Sequence, residues 1–457
     1  KFIIFAFFER TKVKFYTDTG IFRQMNIEHF IAKRIALSNS GSFTKVIIRI
    51  AIAAIAVSLT VMILTTAIIA GFKKEITEKI FGFWGHIHIT DSNINRNFEL
   101  SPIEKNEIYY DQIRDIKQID YEDQAKVLGY AIEGKVQQKT TLGGVKGVYP
   151  YIISPAMLST KDNFHGVLLK GVDADYNWSS MNKYIIDGKQ ITYLKDSMSV
   201  DLLISKNIAD KMFLKTGDKV VMSFIRDNAR IKKRFQICGI YNTGLEEYDK
   251  RFGIVDIHKL QDILSWDVNQ VQGMEVVLEN VNDLDIFSEY IYYEILPQEF
   301  YAESIKSKYP GIFEWLGLQD INETIILQLM ILVAIINMIT VLLILILERT
   351  QMIGILKSLG MNNWRVRKIF IYNAGYIVFF GLIVGNILGL GIAFLQKHFQ
   401  FIKLDEANYY LSTAPIEINF ITILMLNIGT FVVTLIFLVL PTMLVTRITP
   451  IKALRFE

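Results

Sequence analysis

The sequence predicts an α+β membrane protein: four transmembrane helices, with a large mixed α/β domain inserted outside the cytoplasm between the first and the second. Three observations lead there. Hydrophobic residues fill 51% of the 457 positions and mean hydropathy is +0.30, too apolar for an ordinary soluble domain and too polar for a chain embedded throughout. Four uncharged stretches, 50–72, 324–347, 369–396 and 418–446, reach the roughly 20 apolar residues a helix needs to cross a ~30 Å hydrocarbon core. Residues 73–323, between the first two stretches, alternate strand and helix signals and are long enough for one large domain or two small ones.

At the N-terminus, KFIIFAFFER has no methionine, and its apolar run 2–8 is too short to span and lacks a small-residue cleavage site. Met25 is the expected start, with 1–24 an upstream extension. Within 25–49, NIEHFIAKRIALS places Phe30, Ile31 and Ile35 near one helical face and Lys33 and Arg34 away from it, as in an amphipathic helix lying on the inner membrane surface. The alternative is a plain helical extension of the span that follows.

Lysine and arginine set the orientation. The connection 348–368 carries Arg349, Lys357, Arg365, Arg367 and Lys368 against Glu348 alone. Lys33, Arg34, Lys45 and Arg49 precede the first span, and Arg447, Lys452 and Arg455 follow the last. In 397–417, Lys397 and Lys403 are offset by Asp405, Glu406 and Glu417. Both termini and 348–368 are therefore expected in the cytoplasm, and 73–323 and 397–417 outside. No charge interrupts a span, so neither a proton relay nor an ion pathway is signalled and a self-standing carrier is disfavoured. Gly381, Gly385 and Gly389 clear one stripe of the third span for close approach by another helix, whose identity the sequence leaves open. Pro441 is expected to kink the fourth.

In the outside domain, GHIHIT (85–90) alternates like a half-buried strand, and 167–172 reads as another. Ser101-Pro102-Ile103-Glu104 fits a capping box opening a helix to about Ile119. Ser205 is a helix cap for a segment ending near Phe213. Thr216-Gly217-Asp218 turns into a strand at 219–224, with 234–241 its expected partner. Segments 256–265 and 283–295 read as helices, and 315–324 as a helical lead into the second span.

Several chemistries drop out. Net charge is +3, from 49 basic and 46 acidic residues, and does not point to nucleic acid. Cys238 is the lone cysteine, so no intrachain disulfide forms, and a small packed residue is expected there. His86 and His88 lie two apart, a spacing that puts both on one strand face. The sequence places no third ligand, so a polar strand face is expected rather than a metal. There is no G-x-S-x-G, no H-E-x-x-H and no G-x-x-x-x-G-K-[ST] loop. No catalytic residue, cofactor or metal is expected on this chain.

The segment FIAKRIALSN, the first span with Gly71-Phe72 at its end, and Gly85-His86-Ile87 together resemble the start of the lipoprotein-releasing ABC permeases, LolC/LolE type. So does Gly239-Ile240-Tyr241-Asn242-Thr243-Gly244 with Glu247-Tyr248-Asp249. The cytoplasmic run ERTQMIGILKSLGM (348–361) is similar to the coupling segment of the wider FtsX/MacB-like (type VII) permease group, and PIKALR (450–455) to that group's ending. The resemblance covers residue 26 to the end.

It implies a multi-pass inner-membrane protein whose large domain is periplasmic. The expected partners are a separate cytoplasmic ATPase dimer carrying ATP-Mg, a second permease subunit (identical or not), membrane lipid, and an acylated lipoprotein as cargo. The coupling contact then falls on Glu348, Arg349, Ile353, Gly354, Leu356, Lys357, Leu359 and Gly360. Ile353, Leu356 and Leu359 recur at three-residue spacing and suit a partner groove, with Gly354 and Gly360 permitting close approach and a sharp exit. The alternative is a solvated connection touching the bilayer. Cargo would enter sideways along Val57, Val61 and Leu64 of the first span and Leu329, Ile336 and Ile339 of the second; plain lipid-facing or bundle-facing residues are the competing reading. Family members that recruit a periplasmic lipoprotein chaperone carry a longer, proline-containing hairpin where this chain has SFIRDNARIKKR (223–234), which weighs against capture by that hairpin. A MacB-like efflux permease, which commonly carries its own ATPase, and an FtsX-like signalling permease, with a much smaller outside domain, are the alternatives.

Overall fold

The computed structural model describes residues 28–32, 42–92, 101–105, 108–127, 130–160, 163–194, 197–226 and 229–448. The expected start at Met25, most of the amphipathic segment and the PIKALR ending lie outside these. Of that segment, 28–32 is helical, with Phe30 exposed, Ala32 buried and His29 edge-on to Tyr372.

The helices used below are α1 (Ser42–Trp84), α2 (Ile108–Arg114), α3 (Lys206–Met212), α4 (Ile257–Leu264), α5 (Leu284–Tyr290), α6 (Pro310–Glu348), α7 (Thr350–Ser358), α8 (Asn363–Phe399), α9 (Phe420–Thr442) and α10 (Leu444–Arg447). Among the described residues, four helices are long and apolar enough to cross a membrane: Lys45–Trp84, Pro310–Glu348, Asn363–Phe399 and Phe420–Arg447. Such segments must be helical, because a bilayer offers the backbone no water and every N–H and C=O has to be satisfied within the segment.

The chain divides into two compact units. The first comprises 1–72, 317–402 and 414–457. Its core is apolar and mostly aliphatic: Ile55, Leu59, Met62, Met338, Leu342, Leu345, Phe370, Ala374 and Leu438 are all buried. Pro441 sits inside α9, whose helix ends one residue later and resumes as α10 after Met443; proline supplies no N–H to the helix ladder.

The second unit comprises Lys73–Leu316 and Lys403–Thr413. Its strands are β1 (Ile87–Asp91), β2 (Ile103–Glu104), β3 (Asp120–Val127), β4 (Tyr130–Thr140), β5 (Val145–Ser159), β6 (Phe164–Val172), β7 (Ile185–Gly188), β8 (Asp201–Ser205), β9 (Lys219–Arg226), β10 (Ala229–Tyr241), β11 (Phe252–Asp256), β12 (Gln270–Val271), β13 (Gly273–Leu278) and β14 (Phe300–Ser304). One mixed sheet runs β14-β1-β13-β5-β6-β11-β8-β10-β7, with β9 pairing both β10 and β5. The β10–β8 and β11–β6 pairs are parallel. β3 and β4 form a separate two-stranded hairpin.

Local signals explain much of this. Ser205 accepts the Ile208 N–H at the start of α3, and Phe213 closes that helix in the left-handed region. Asp256 caps α4 through His258 N–H, and Ser265 ends it the same way. The Thr216-Gly217-Asp218 turn leads into β9, which pairs antiparallel with β10. The 283–295 helix is α5 continued by a π-turn at Ile291–Ile295.

Two expectations need correction. Ser101 does not open a helix: Ile103 and Glu104 form β2 against β12, and α2 starts at Ile108. A tertiary pairing, extended by Lys105 N–H donating to Asn269 O, wins over the local capping signal. Only His88 stands on the strand. Gly85 has φ +69, and the chain straightens into β1 at Ile87, so His86 lies in the bend before it.

Candidate functional site

Helix α7, on which the coupling contact is expected, is half committed to its own bundle. Ile353 and Gly354 are buried, Ile353 in the aliphatic core, and Leu356 packs against that core. Leu359 points out at 51% exposure, joined by Ile355 and by Trp364 at the start of α8. The apolar stripe therefore divides: Ile353 and Leu356 anchor the helix, while Ile355 and Leu359 are presented to solvent. Glu348 is exposed and Arg349 half-buried at the α6–α7 junction. Gly360 has φ +90, a left-handed conformation that lets the chain reverse before Asn362 caps α8.

Lys357 donates to the carbonyls of Val445 and Ile448, at 2.6 and 2.7 Å. Arg367 donates to Val439 O at 3.3 Å and to Thr442 Oγ1 at 3.2 Å. Both cations thus satisfy groups at the C-terminal end of the last helices, where carbonyls lack helical partners and the dipole favours positive charge. They clamp α7 and the start of α8 to α9 and α10.

The glycine stripe of α8 meets α1. A Cβ at Gly381 would lie 2.8 Å from Ile55 Cβ, one at Gly385 2.9 Å from Ala56 O, and one at Gly389 3.2 Å from Ile63 Cβ. Thr60 Oγ1 donates to Gly385 O at 3.1 Å across the same seam. Farther along α8, Asn386 and Asn427 of α9 exchange amide hydrogen bonds at 2.7 and 3.0 Å, a reciprocal pair that fixes helix register in a setting without water. Of the residues expected along the lateral path, Val57, Leu329 and Ile336 are exposed; Val61, Leu64 and Ile339 are half-buried, the last two packed on internal clusters.

In the second unit, the Gly239–Gly244 motif organises a small polar knot. Asp249 accepts from Thr243 N–H, Thr243 Oγ1 and Gly244 N–H, while burial pushes its carboxyl up to about 6. Asn242 donates to Glu406 Oε1 at 3.3 Å and Lys79 to Tyr410 O at 2.9 Å, holding 403–413 in this unit. Gly244 has φ +73, and a Cβ there would sit 2.6 Å from the Glu406 carboxylate. The motif is structural.

The histidines are likewise held by the chain. Neither belongs to a group of potential metal ligands among the described residues. His86 Nδ1 accepts the Leu278 N–H at 2.7 Å. His88 Nδ1 accepts from Lys308 at 2.9 Å, leaving Nε2–H to donate to Trp84 O at 2.7 Å. Burial, reinforced by Lys146, lowers His86 from 6.5 to about 4, and burial takes His88 well below 6.5. The unfolded chain then binds protons that the folded chain refuses. The His86 contribution is complete above about pH 6.5 and lost as pH falls toward 4, a change of about 3 kcal/mol. Thermal unfolding of the detergent-solubilised chain at pH 7 and pH 5 should show the loss, and His86→Gln, which keeps an acceptor for Leu278, should reduce it.

Comparison with known proteins follows this geometry. The family model described as MacB-like periplasmic core domain matches residues 50–291, and the FtsX-like permease C-terminal model matches 324–450. The first alone covers more than half of the chain. The chain belongs to the FtsX/MacB-like permeases, LolC/LolE type. The permease is 22% identical over 424 residues to "Lipoprotein-releasing system transmembrane protein LolC" of Buchnera aphidicola subsp. Schizaphis graminum, covering 91% of this chain and 95% of that one. It is 22% identical over 344 residues to the "transmembrane protein LolE" of the same system in Haemophilus influenzae, covering 71% and 80%. Among solved structures, the extracellular domain of the noncanonic ABC-type transporter YknZ from Gram-positive bacteria aligns at 13% identity over 48% of this chain and 98% of that chain, with a TM-score of 0.29. The C-terminal model spans α7, the α8 glycine stripe and the Asn386–Asn427 pair, so the Lys357 and Arg367 clamp lies inside one family segment, while the α1 residues that the stripe meets, Ile55 to Ile63, lie in the other. Relatives of this kind are ABC permease subunits, which are not themselves enzymes.

Proposed function

We propose that this chain is the permease subunit of an ABC transporter that extracts lipoproteins from the inner membrane for sorting to the outer one. ATP is hydrolysed on a separate cytoplasmic ATPase dimer, and a second permease subunit completes the complex. Both termini and α7 face the cytoplasm, and the domain inserted between the first and second spans is periplasmic, as the lysine and arginine bias supports. The efflux and signalling readings are not favoured, since the relatives reported above are lipoprotein-releasing permeases along most of their length.

One observation carries the mechanical reading: α7 is bolted to α10 through Lys357 while Ile355 and Leu359 stand exposed on its outer side. A push on those two side chains by a closing ATPase reaches the helices as a displacement of rods. The 403–413 connection between α8 and α9 belongs to the outer unit, tied there through Lys79 and Asn242, and gives that displacement a second covalent route outward. The task needs such force, because each acyl methylene moved from lipid to water costs about 0.8 kcal/mol. Val57, Leu329 and Ile336, exposed on α1 and α6, are the side chains assigned to the lateral path.

Photocrosslinkers at Val57 and Ile336 in the purified complex should capture an acylated lipoprotein; failure beside a working control sinks the cargo assignment. The coupling face has its own expected result. Leu359→Asp should abolish permease-stimulated ATP turnover while shifting stability by no more than ~0.5 kcal/mol, as surface changes do. Ile353→Asp should instead unfold the bundle by burying a charge. Equal loss of stability in both variants would remove Leu359 from the docking face.

A further inference from the structure

In the second unit, β6 begins before one of its neighbours does. Its first residues pair with β5 on one side, but β11 joins the other side only at Phe252, opposite Leu168. The step leaves a notch of about 410 Å³, lined by 165–168 of β6, by Asn207 and Lys211 of α3, and by the turn 250–251 before β11. That volume is within the range of small-ligand sites.

The lining is rich in donors. Leu168 N–H donates across this edge to the Arg251 carbonyl. Strand N–H groups return to the same side every second residue, so the Gly166 N–H faces the notch. It has no partner among the described residues, and a Cβ on Gly166 would meet nothing within 4 Å, so the approach is open. The side chains of Lys211 and Arg251 are exposed, and among the described residues neither has an ion pair or a hydrogen bond. The Asn207 amide has no hydrogen bond either. Lys250 adds nothing to this charge, because Glu246 holds it at 2.6 Å. His165 Nε2–H is taken by the Lys250 carbonyl at 3.1 Å. No carboxylate among the described residues lines the notch; Asp210 and Glu246, on the neighbouring segments, line a separate hollow.

Two unpaired cations, an amide and an open backbone N–H therefore share one hollow. A carboxylate offers two oxygens in one plane, whereas a phosphate offers oxygens in several directions and matches the fork of a guanidinium. We propose that this notch binds a phosphate group, with Arg251 and Lys211 balancing its charge and Gly166 N–H and Asn207 donating to its oxygens. Exposed rings stand next to the lining in the chain, Phe164 before His165 and Phe213 two residues after Lys211, at 77% and 85% exposure. They offer apolar surface to a phosphate that carries acyl chains, so the source is either a phospholipid headgroup or a soluble phosphate ester.

The test uses neither lipoprotein nor ATPase, so its failure and that of the transport reading are distinct. The full chain in dodecyl maltoside, at constant chloride, is titrated calorimetrically with glycerol phosphate, with dihexanoyl phosphatidylglycerol and with acetate. Saturable binding of at least one phosphate probe is expected, and none of acetate. Lys211→Gln with Arg251→Gln should weaken it roughly 10-fold or more, as the loss of charge-assisted hydrogen bonds does. Lys135→Gln, exposed on β4 of the separate hairpin, should leave it unchanged. Unaltered melting temperatures show that the variants are folded. Tighter binding of the lipid, lost in the double variant, supports the site with a headgroup as its ligand; equal binding of both probes, lost likewise, supports it with a soluble ester. No binding of either phosphate, binding that survives the double substitution, or acetate binding as tight as phosphate overturns the proposal.

Discussion

Gly385→Val is expected to separate α1 from α8 and to cost the permease both stability and transport. The Cβ that valine adds would lie 2.9 Å from the Ala56 carbonyl oxygen and 2.9 Å from Leu59 Cβ. The first of these neighbours is backbone and has no rotamer to yield. Over-packing of a close-packed core costs ~1–3 kcal/mol per added group, and the branched side chain exceeds what alanine would demand. The Thr60–Gly385 hydrogen bond must break as the helices part. Gly391, on the same helix, has no atom within 4 Å of its would-be Cβ and serves as the control. Thermal unfolding in detergent should place Gly385→Val well below Gly391→Val, with Gly385→Ala between them. Equal midpoints for the two valine variants would show that the seam is not close-packed.

That seam also marks how far the sequence speaks. Glycine at four-residue spacing announces a bare stripe, yet it cannot name the helix that fills it, because Ile55, Leu59 and Ile63 carry no signal distinguishing them from other aliphatic residues of α1. Helix α7 shows the same limit. Three-residue spacing groups Ile353, Leu356 and Leu359, but which of them faces the bundle depends on neighbours far along the chain. Lys357 and Arg367 read as topology charges; that they also bind the last carbonyls of α9 and α10 follows only from the packed bundle.

Local chemistry was more legible. Ser205 and Asp256 cap their helices from within three residues, and Thr216-Gly217-Asp218 turns the chain where composition demands. The Ser101 signal, of the same local kind, lost to a partner strand at Gln270–Val271 that no nearby residue foretells. In the second unit, the legible feature was the alternation of 85–90, and the hidden one was what its histidines serve.

Register alone brings the remaining group together. β1 sets His88 opposite Glu275 of β13, and β5 sets Tyr149 opposite Glu275 and Ile153 opposite Lys170. Lys170 is wholly buried, with Nζ 2.6 Å from Glu275 Oε1, donating to the Phe83 carbonyl and lying 5.0 Å from the ring centres of Phe83 and Trp84. Burial lowers the lysine and raises the glutamate from their ordinary values, and each opposes that shift in the other. Removing one partner strands a charge, so Lys170→Met alone is expected to destabilise the chain by about 3–5 kcal/mol, and Glu275→Leu alone by a similar amount. The two together remove both charges and substitute apolar groups of comparable volume, an exchange that is often near neutral. The double variant should therefore unfold at a higher temperature than either single one. Its recovery would stop short of complete, because the Phe83 carbonyl loses the Lys170 donor and is left with the Tyr176 hydroxyl at 3.3 Å, and His88 keeps Lys308 without the neighbouring carboxylate. If the two single costs simply add in the double variant, Lys170 and Glu275 act independently, and the ion pair is not what holds the end of α1 against the sheet.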